Sequence, residues 1–291
     1  MSGIEAVIAR SRMEGGFSER KRFTIARREG IEKMRKFALA DPHHYVLEVI
    51  QAAIANGAQY VDLRVTKTHA TISYIGGGLA EHELAQLFDF LFASKDRADI
   101  GHLRELALGL NAALLFKPKR IVVESGDGTL AGSTRMVLHG EHGEIEVGRP
   151  DRAMSGTYIA IQDMNRRAMD GTWLSNFNSE WPREYQVIEQ RCLAAPIPIV
   201  VGGRPLFGWA SQRTPGLFGY KDVLAFDEGD LYGAIGVSPS FGNPDFRLLT
   251  WGVAIQSRSH ALLPGHQIGG IVCFDRLHKT VDHSGIVDDA R

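Results

Sequence analysis

A single carboxylate stands in an otherwise apolar helical stretch. Residues 45–56 read YVLEVIQAAIAN, and Glu48 is the lone acid among them. Burial penalises the charged form of a carboxylate and raises its pKa, which suits a general base. Glu48, Ala52 and Ala55 fall on one helix face at i, i+4 and i+7. Gln51 lies one position before Ala52, about 100° around the helix. Glycines could surround such an acid. Gly76, Gly77 and Gly78 follow a strand-like segment. Gly101 and Gly109 sit in DIGHLRELALGLNAAL, where a helix start could hold phosphate on its free amides. Gly156-Thr157 opens a further strand and offers a hydroxyl.

Each feature has a plain alternative. Glu48 could hold its charge in solvent on a helix surface. The 76–78 glycines could form an ordinary loop, Gly109 could permit close helix packing, and Thr157 is a common strand residue. The 11 histidines are scattered without ligand spacing, and adjacent His43 and His44 point to different faces, so no metal site is expected. Ser284 in HSG lacks the flanking glycines of a nucleophile elbow. The basic stretch SERKRFTIARREG reads as a solvated face.

The elements that must position these residues follow from periodicity. Residues 23–39 carry apolar groups at helical spacing (Ile31, Met34, Phe37, Ala38). Asp41-Pro42 is a helix start and Asn56-Gly57 a helix stop, which frames a second helix over 42–56. YVDLRV and HATISYI alternate as two strands. Residues 80–92 return to helical spacing through Leu84, Leu87, Phe88 and Leu91, and HLRELALGLNAALLF predicts another helix. RIVVES, TRMVLHG, GEIEVG and GTYIAIQD read as strands. This order predicts an α+β unit, a layered sheet with helices on one face. Residues 166–180 read as a linker. Beyond it come a helix in WPREYQVIEQRCLAA and a hairpin turning at Gly202-Gly203. LYGAIGVS, FRLLTWGVAIQS and IGGIVCFD read as further strands. The expected organisation is a flexible terminus over 1–22, a first domain over 23–165, and a smaller α+β domain over 181–291.

Bulk properties narrow the function. Basic and acidic residues nearly balance, 33 against 34, so neither nucleic acid nor an anionic membrane is the expected partner. Two cysteines are too few for a disulfide framework. The first residues show no apolar signal core, and no apolar run approaches the ~20 residues of a membrane span. These features predict a cytoplasmic protein. The polar end GIVDDAR reads as one piece of a longer chain.

The order of Glu48, the glycine run, the glycine-bearing helix and Gly156-Thr157 resembles the GHKL superfamily of gyrase, heat-shock-ninety chaperones, histidine kinases and MutL, over roughly residues 25–165. The resemblance implies a Bergerat-type two-layer sandwich followed by a transducer-like domain. It implies Glu48 as general base and ATP with magnesium as cofactor. Gly76, Gly78, Gly101, Gly109 and Thr157 would line the nucleotide. A transducer lysine reaching the γ-phosphate would be Lys279, with Arg276 as the weaker choice, unless Lys279 is an ordinary surface lysine. Two family positions are changed here. The magnesium-holding Asn falls on Ala52, and a methyl cannot ligate a hard cation. The adenine-reading Asp falls on Tyr74, and losing such an acceptor forfeits ~1.5–3 kcal/mol.

Three functions follow. The first is a degenerate nucleotide-binding or non-catalytic interaction module, the N-terminal part of a larger multidomain protein. The second is an active, chaperone-like ATPase in which Gln51, Asn56 or a carbonyl holds the metal and Tyr74 stacks on the base. The third is a structural docking domain whose pocket is filled by its own side chains. The expected partners are another protein or further domains of the same chain.

Overall fold

The computed structural model describes residues 27–37, 39–93, 98–140, 144–166, 182–192, 194–206, 217, 219–238, 246–258, 268–280 and 282–287. The expected terminus over 1–22 and most of the expected linker lie outside these residues. The architecture is mixed α+β, with helices packed on two mixed sheets.

Helix α1 spans Arg27–Phe37, and a short 3-10 turn, Pro42–His44, leads into α2, Tyr45–Ala55. The Asp41 side chain accepts from the His43 amide at 2.9 Å and Pro42 supplies a preset φ, so the helix starts where its sequence signal lies. It stops at Asn56, with Gly57 at φ 74°. Strands β1 (Val61–Val65) and β2 (Ala70–Tyr74) pair as an antiparallel hairpin. Helix α3 is short, Glu81–Ala85, and a 3-10 run over Leu87–Phe92 follows. The single helix expected over 80–92 is thus broken at Gln86. The 3-10 geometry brings residues three apart into register, and it buries Phe88 together with Leu91. Helix α4 spans Gly101–Ala113. Strands β3 (Arg120–Asp127), β4 (Thr134–His139), β5 (Ile145–Gly148) and β6 (Ser155–Gln162) follow.

Helix α5 (Arg183–Arg191) leads to β7 (Ile199–Val201) and β8 (Arg204–Pro205), with Gly202 and Gly203 both at positive φ in the turn. The first sheet runs β5-β4-β3-β6-β2-β1-β7-β8. Strand β7 pairs parallel to β1, Val61 beside Ile199. The first sheet therefore takes strands from both sides of the 166–180 segment. Tyr185, Val187 and Ile188 of α5 enter the same core as α2, α4 and β1. The second sheet holds β9 (Lys221–Glu228), β10 (Leu231–Val237), β11 (Phe246–Thr250), β12 (Val253–Arg258) and β13 (Ile268–Phe274), ordered β12-β11-β13-β10-β9.

Two features of this sheet differ from the sequence reading. FRLLTWGVAIQS folds as a hairpin, because Trp251 (φ 49°) and Gly252 (φ 70°) form a two-residue turn. Tryptophan carries no turn signal, so the segment reads as one strand. Strand β9 escapes sequence reading because it is an exposed edge without inside–outside alternation. No described helix is long and apolar enough to cross a membrane.

Candidate functional site: a buried ammonium among acids

Helix α2 sets Glu48 and Gln51 one turn apart on one face. Helix α4 packs against it and supplies Glu105. The close approach needs Gly109: a Cβ there would lie 2.8 Å from Val49 Cγ2 and 3.0 Å from the Tyr45 carbonyl oxygen. After β13 the chain forms a short strap. Lys279 bridges to Ile286, Thr280 donates its amide to the Gly285 carbonyl, and Val287 donates to His278. Asp282 shapes the turn by accepting from Thr280 Oγ1, Ser284 N and Ser284 Oγ, and these bonds hold its carboxyl down to about 2. The Asp282 carbonyl in turn accepts from the Ala40 amide, which ties the strap to the start of α2.

The strap delivers Lys279 into the interface of α2 and α4. Its Nζ donates to Glu48 Oε2 at 2.8 Å, Gln51 Oε1 at 2.7 Å and Glu105 Oε2 at 2.8 Å. An ammonium has three donors, and all three are used. Glu48 is 3% exposed, Gln51 0%, Glu105 6% and Lys279 5%. The expectation of a solvated surface lysine gives way to a fully buried one. The other oxygen of Glu48 lies 3.2 Å from His283 Nδ1. Gln51 donates its amide nitrogen to the Thr250 carbonyl at 2.9 Å, which aims its oxygen at the lysine. Arg276, the other basic candidate, pairs instead with Asp230 near the surface.

Burial works on every charge here and is overruled for two of them. Burial alone would raise Glu48, but the Lys279 ammonium brings its carboxyl below the ordinary value. Glu105 is raised, by burial first, with the neighbouring Glu48 charge adding to it. Lys279 would be lowered by burial, yet Glu105 and Glu48 hold it above its usual value. The signs set a pH profile. Glu48 contributes stability above its unfolded pKa of ~4.3, and this is lost as pH falls through its lower folded value. Glu105 acts oppositely: its contribution is lost as pH rises through its raised folded value. Lys279 contributes fully below its unfolded pKa of ~10.4 and loses this as pH rises through the folded value. Buried Tyr45 and Tyr74, both raised, add alkaline loss of the same sign. Urea midpoints measured across pH should fall at both extremes, and Lys279→Met should diminish the alkaline fall. An unchanged alkaline limb in that variant would contradict the assignment.

The other predicted residues gather at the end of β2. Tyr74 is buried beside the side chains of Thr157 and Asn56, and burial raises its phenol against their opposing influence. Thr157 stands opposite Tyr74 across the β2–β6 ladder and is 2.8 Å from Ser125 Oγ. Ser125 Oγ also accepts from the Leu79 amide. Asn56 Nδ2 donates to the Gly77 carbonyl at 2.7 Å, and the Gly77 amide returns a bond to the Asn56 carbonyl. Gly78 packs against β3, where a Cβ would sit 3.2 Å from the Gly126 carbonyl carbon. Gly156 has φ +79°, and a Cβ there would fall 2.2 Å from the Tyr74 carbonyl oxygen, so β6 can pass β2 here only with glycine. At Gly76 a Cβ would lie 2.9 Å from the Asn56 carbonyl oxygen and 3.2 Å from the Ala58 amide nitrogen. Gly101 opens α4, and a Cβ there would meet nothing within 4 Å. Residues 94–97, just before it, lie outside the described residues.

The structure thus forms two clusters: Glu48, Gln51 and Lys279 with Glu105 and His283, and Tyr74, Gly76, Gly78 and Thr157 with Ser125 and Asn56. Sequence reasoning missed Glu105 and His283. Glu105 carried the same signal as Glu48, an acid flanked by buried Leu103 and Leu106 in an apolar helix. Glu48, Glu105 and His283 each offer an atom within 4.8 Å of the others, the spacing of a cation site. Two of the three, Glu48 and Glu105, already hold a cation, the Lys279 ammonium. The fit to magnesium and ATP is poor: both Glu48 oxygens and both Gln51 polar atoms are engaged, and Ala52 is buried with only a methyl to offer. No protein-family model matches the chain, and no curated protein matches it.

Proposed function

We propose that the chain is a GHKL-type module, Bergerat-like in its first sheet and transducer-like after it, that serves as a non-catalytic interaction module. One observation carries this reading: the Lys279 ammonium sits on Glu48, Gln51 and Glu105 and consumes the groups that would activate water or hold a metal. A carboxylate neutralised by an adjacent ammonium and lowered in pKa is a weak base. The buried Tyr74 phenol supports the same reading at the other end, where it stands beside Thr157 and Asn56 in place of an acid that would read a purine. Transfer of a phosphoryl group needs electrostatic stabilisation by metal, arginine or lysine, and the lysine of this cluster is already committed to three acceptors. Its surface would then act by docking a protein or another domain of the same polypeptide.

Isothermal titration with Mg-ATP, paired with a phosphate-release assay, tests this. No saturable heat and no release above buffer are expected. Micromolar binding together with release that disappears in Glu48→Ala would overturn it and return Glu48 to the role of base.

A further inference from the structure

We propose that the outer edge of strand β9 docks an extended basic peptide segment, which adds to the second sheet as a further strand. The inference rests on that sheet alone and stands whether or not the first sheet holds a nucleotide.

Strand β9 is an open template. It ends the order β12-β11-β13-β10-β9, and among the described residues no strand pairs with its outer side. All of its residues but Phe226 are exposed. Leu224 is 61% exposed and Val223 43%, so apolar surface lies open along the strand. The other sheet edges are blunted. Arg191 of α5 donates to the Ala254 and Ile255 carbonyls of β12. In the first sheet the ends are short, β5 with four residues and β8 with two. A long bare edge is the feature that another chain pairs with.

The hairpin fixes which backbone groups face outward. Gly229 and Asp230 form the turn, with Glu228 opposite Leu231. The pair that closes a two-residue turn is hydrogen-bonded, and bonded pairs then alternate along the ladder. Glu228, Phe226 and Leu224 therefore bond to β10. Ala225 and Val223 turn their N–H and C=O groups to the open side, as does Asp227. The template stops at Asp222, whose φ of 49° and the register shift beside it make a bulge.

Charge selects the occupant. Asp222 and Glu228 stand at the two ends of the open run, with Asp227 inside it, and Lys221 lies beyond the bulge. A second copy fits poorly. Two-fold antiparallel pairing must set one residue opposite itself. Centred on Ala225, it opposes Asp222 to Glu228 at both ends. Centred on Leu224, it opposes Phe226 to the kinked Asp222, and centred on Phe226, it opposes Leu224 to Glu228. A strand with a cation at each end and apolar residues between them meets the acids and covers Leu224 and Phe226.

The probe is acetyl-Lys-Thr-Val-Thr-Val-Thr-Lys-amide, which spans Asp222 to Glu228 in either direction, and its control carries Glu at both Lys positions. Backbone amide shifts of the full chain, followed by NMR during titration, should change saturably and centre on residues 223–228. The basic probe should bind about tenfold more tightly than the acidic one, and added salt should narrow that gap. Ala225→Pro should abolish binding, because the lost amide faces the probe rather than β10. Glu228→Lys should narrow the preference for the basic probe. The comparison of the two probes on the parent chain does not depend on whether a variant folds. No saturable change, equal affinity for both probes, shifts centred elsewhere or full binding by folded Ala225→Pro would overturn the proposal. So would self-association in sedimentation that Ala225→Pro removes, which would give the edge to a second copy.

Discussion

Replacing Lys279 with methionine is expected to lower the unfolding free energy by about 3–5 kcal/mol, the usual cost of stripping a buried charge of its partner. Two acids, Glu48 and Glu105, would be left facing each other at 3% and 6% exposure without their cation. Gln51 would keep its bond to Thr250 and lose its other partner. The loss should fall on the α2–α4 interface and release the strap, because Lys279 is the strap's deepest anchor. A variant that also carries Glu48→Leu and Glu105→Met should recover much of the loss, since buried ion groups replaced by apolar ones of similar volume are often neutral or better. Urea denaturation of the single and triple variants at neutral pH measures both. A single-variant loss under about 1 kcal/mol, the size of an exposed pair, would place the ammonium in solvent and contradict the burial that the site rests on.

Glu184→Ala is expected to cost a similar amount, about 3–5 kcal/mol, at a second buried charge. Glu184 is fully buried at the first turn of α5, and its Oε1 accepts from Arg166 Nη1 at 2.5 Å. His43 Nδ1 lies 3.4 Å from the same oxygen, and the Arg166 guanidinium stands 5.4 Å from the Phe116 ring centre. Removing the carboxylate leaves a guanidinium at 6% exposure facing that ring and Tyr45. The neighbouring Tyr185 hydroxyl accepts the Val65 amide at 2.8 Å, so loosening α5 also frees the end of β1. Hydrogen exchange should show lost protection at Val65 and along α5 together with the fall in stability. Arg166→Leu combined with Glu184→Leu should restore much of it. Protection unchanged at Val65, with stability lost elsewhere, would mean that α5 is held by its apolar face alone.

The difference between what was legible and what was not follows from the range of the forces involved. Helix α2 was readable because its start and stop are local: Asp41-Pro42 before it and Asn56-Gly57 after it satisfy its own backbone. Hairpin β1–β2 and strands β3 to β6 were readable from alternation. Pairing of β7 beside β1 was not, since a parallel neighbour leaves no mark in either strand beyond its apolar character. The glycines at 76 and 78 read as nucleotide-lining or loop positions and Gly156 as the opening of a strand, which leaves open what fills the space beside them. Backbone does at Gly156 and Gly76. Glu48 and Lys279 both stand out in the sequence, 231 positions apart, and nothing in it marks their contact. An ion pair is written in three dimensions, and only the apolar flanks of each residue hint at it. Glu105 shows that hint as plainly as Glu48, on a helix whose glycines and free N-terminal amides draw the reading toward phosphate instead.

The most direct test is a crystal structure of the chain soaked with magnesium and a non-hydrolysable ATP analogue. Lys279 should remain on Glu48, Gln51 and Glu105, with Tyr74 against Thr157 and no analogue between the two clusters. Density for a triphosphate and its ion beside Glu48, with Lys279 swung away, would contradict the reading of this chain as a module that has closed its own cleft.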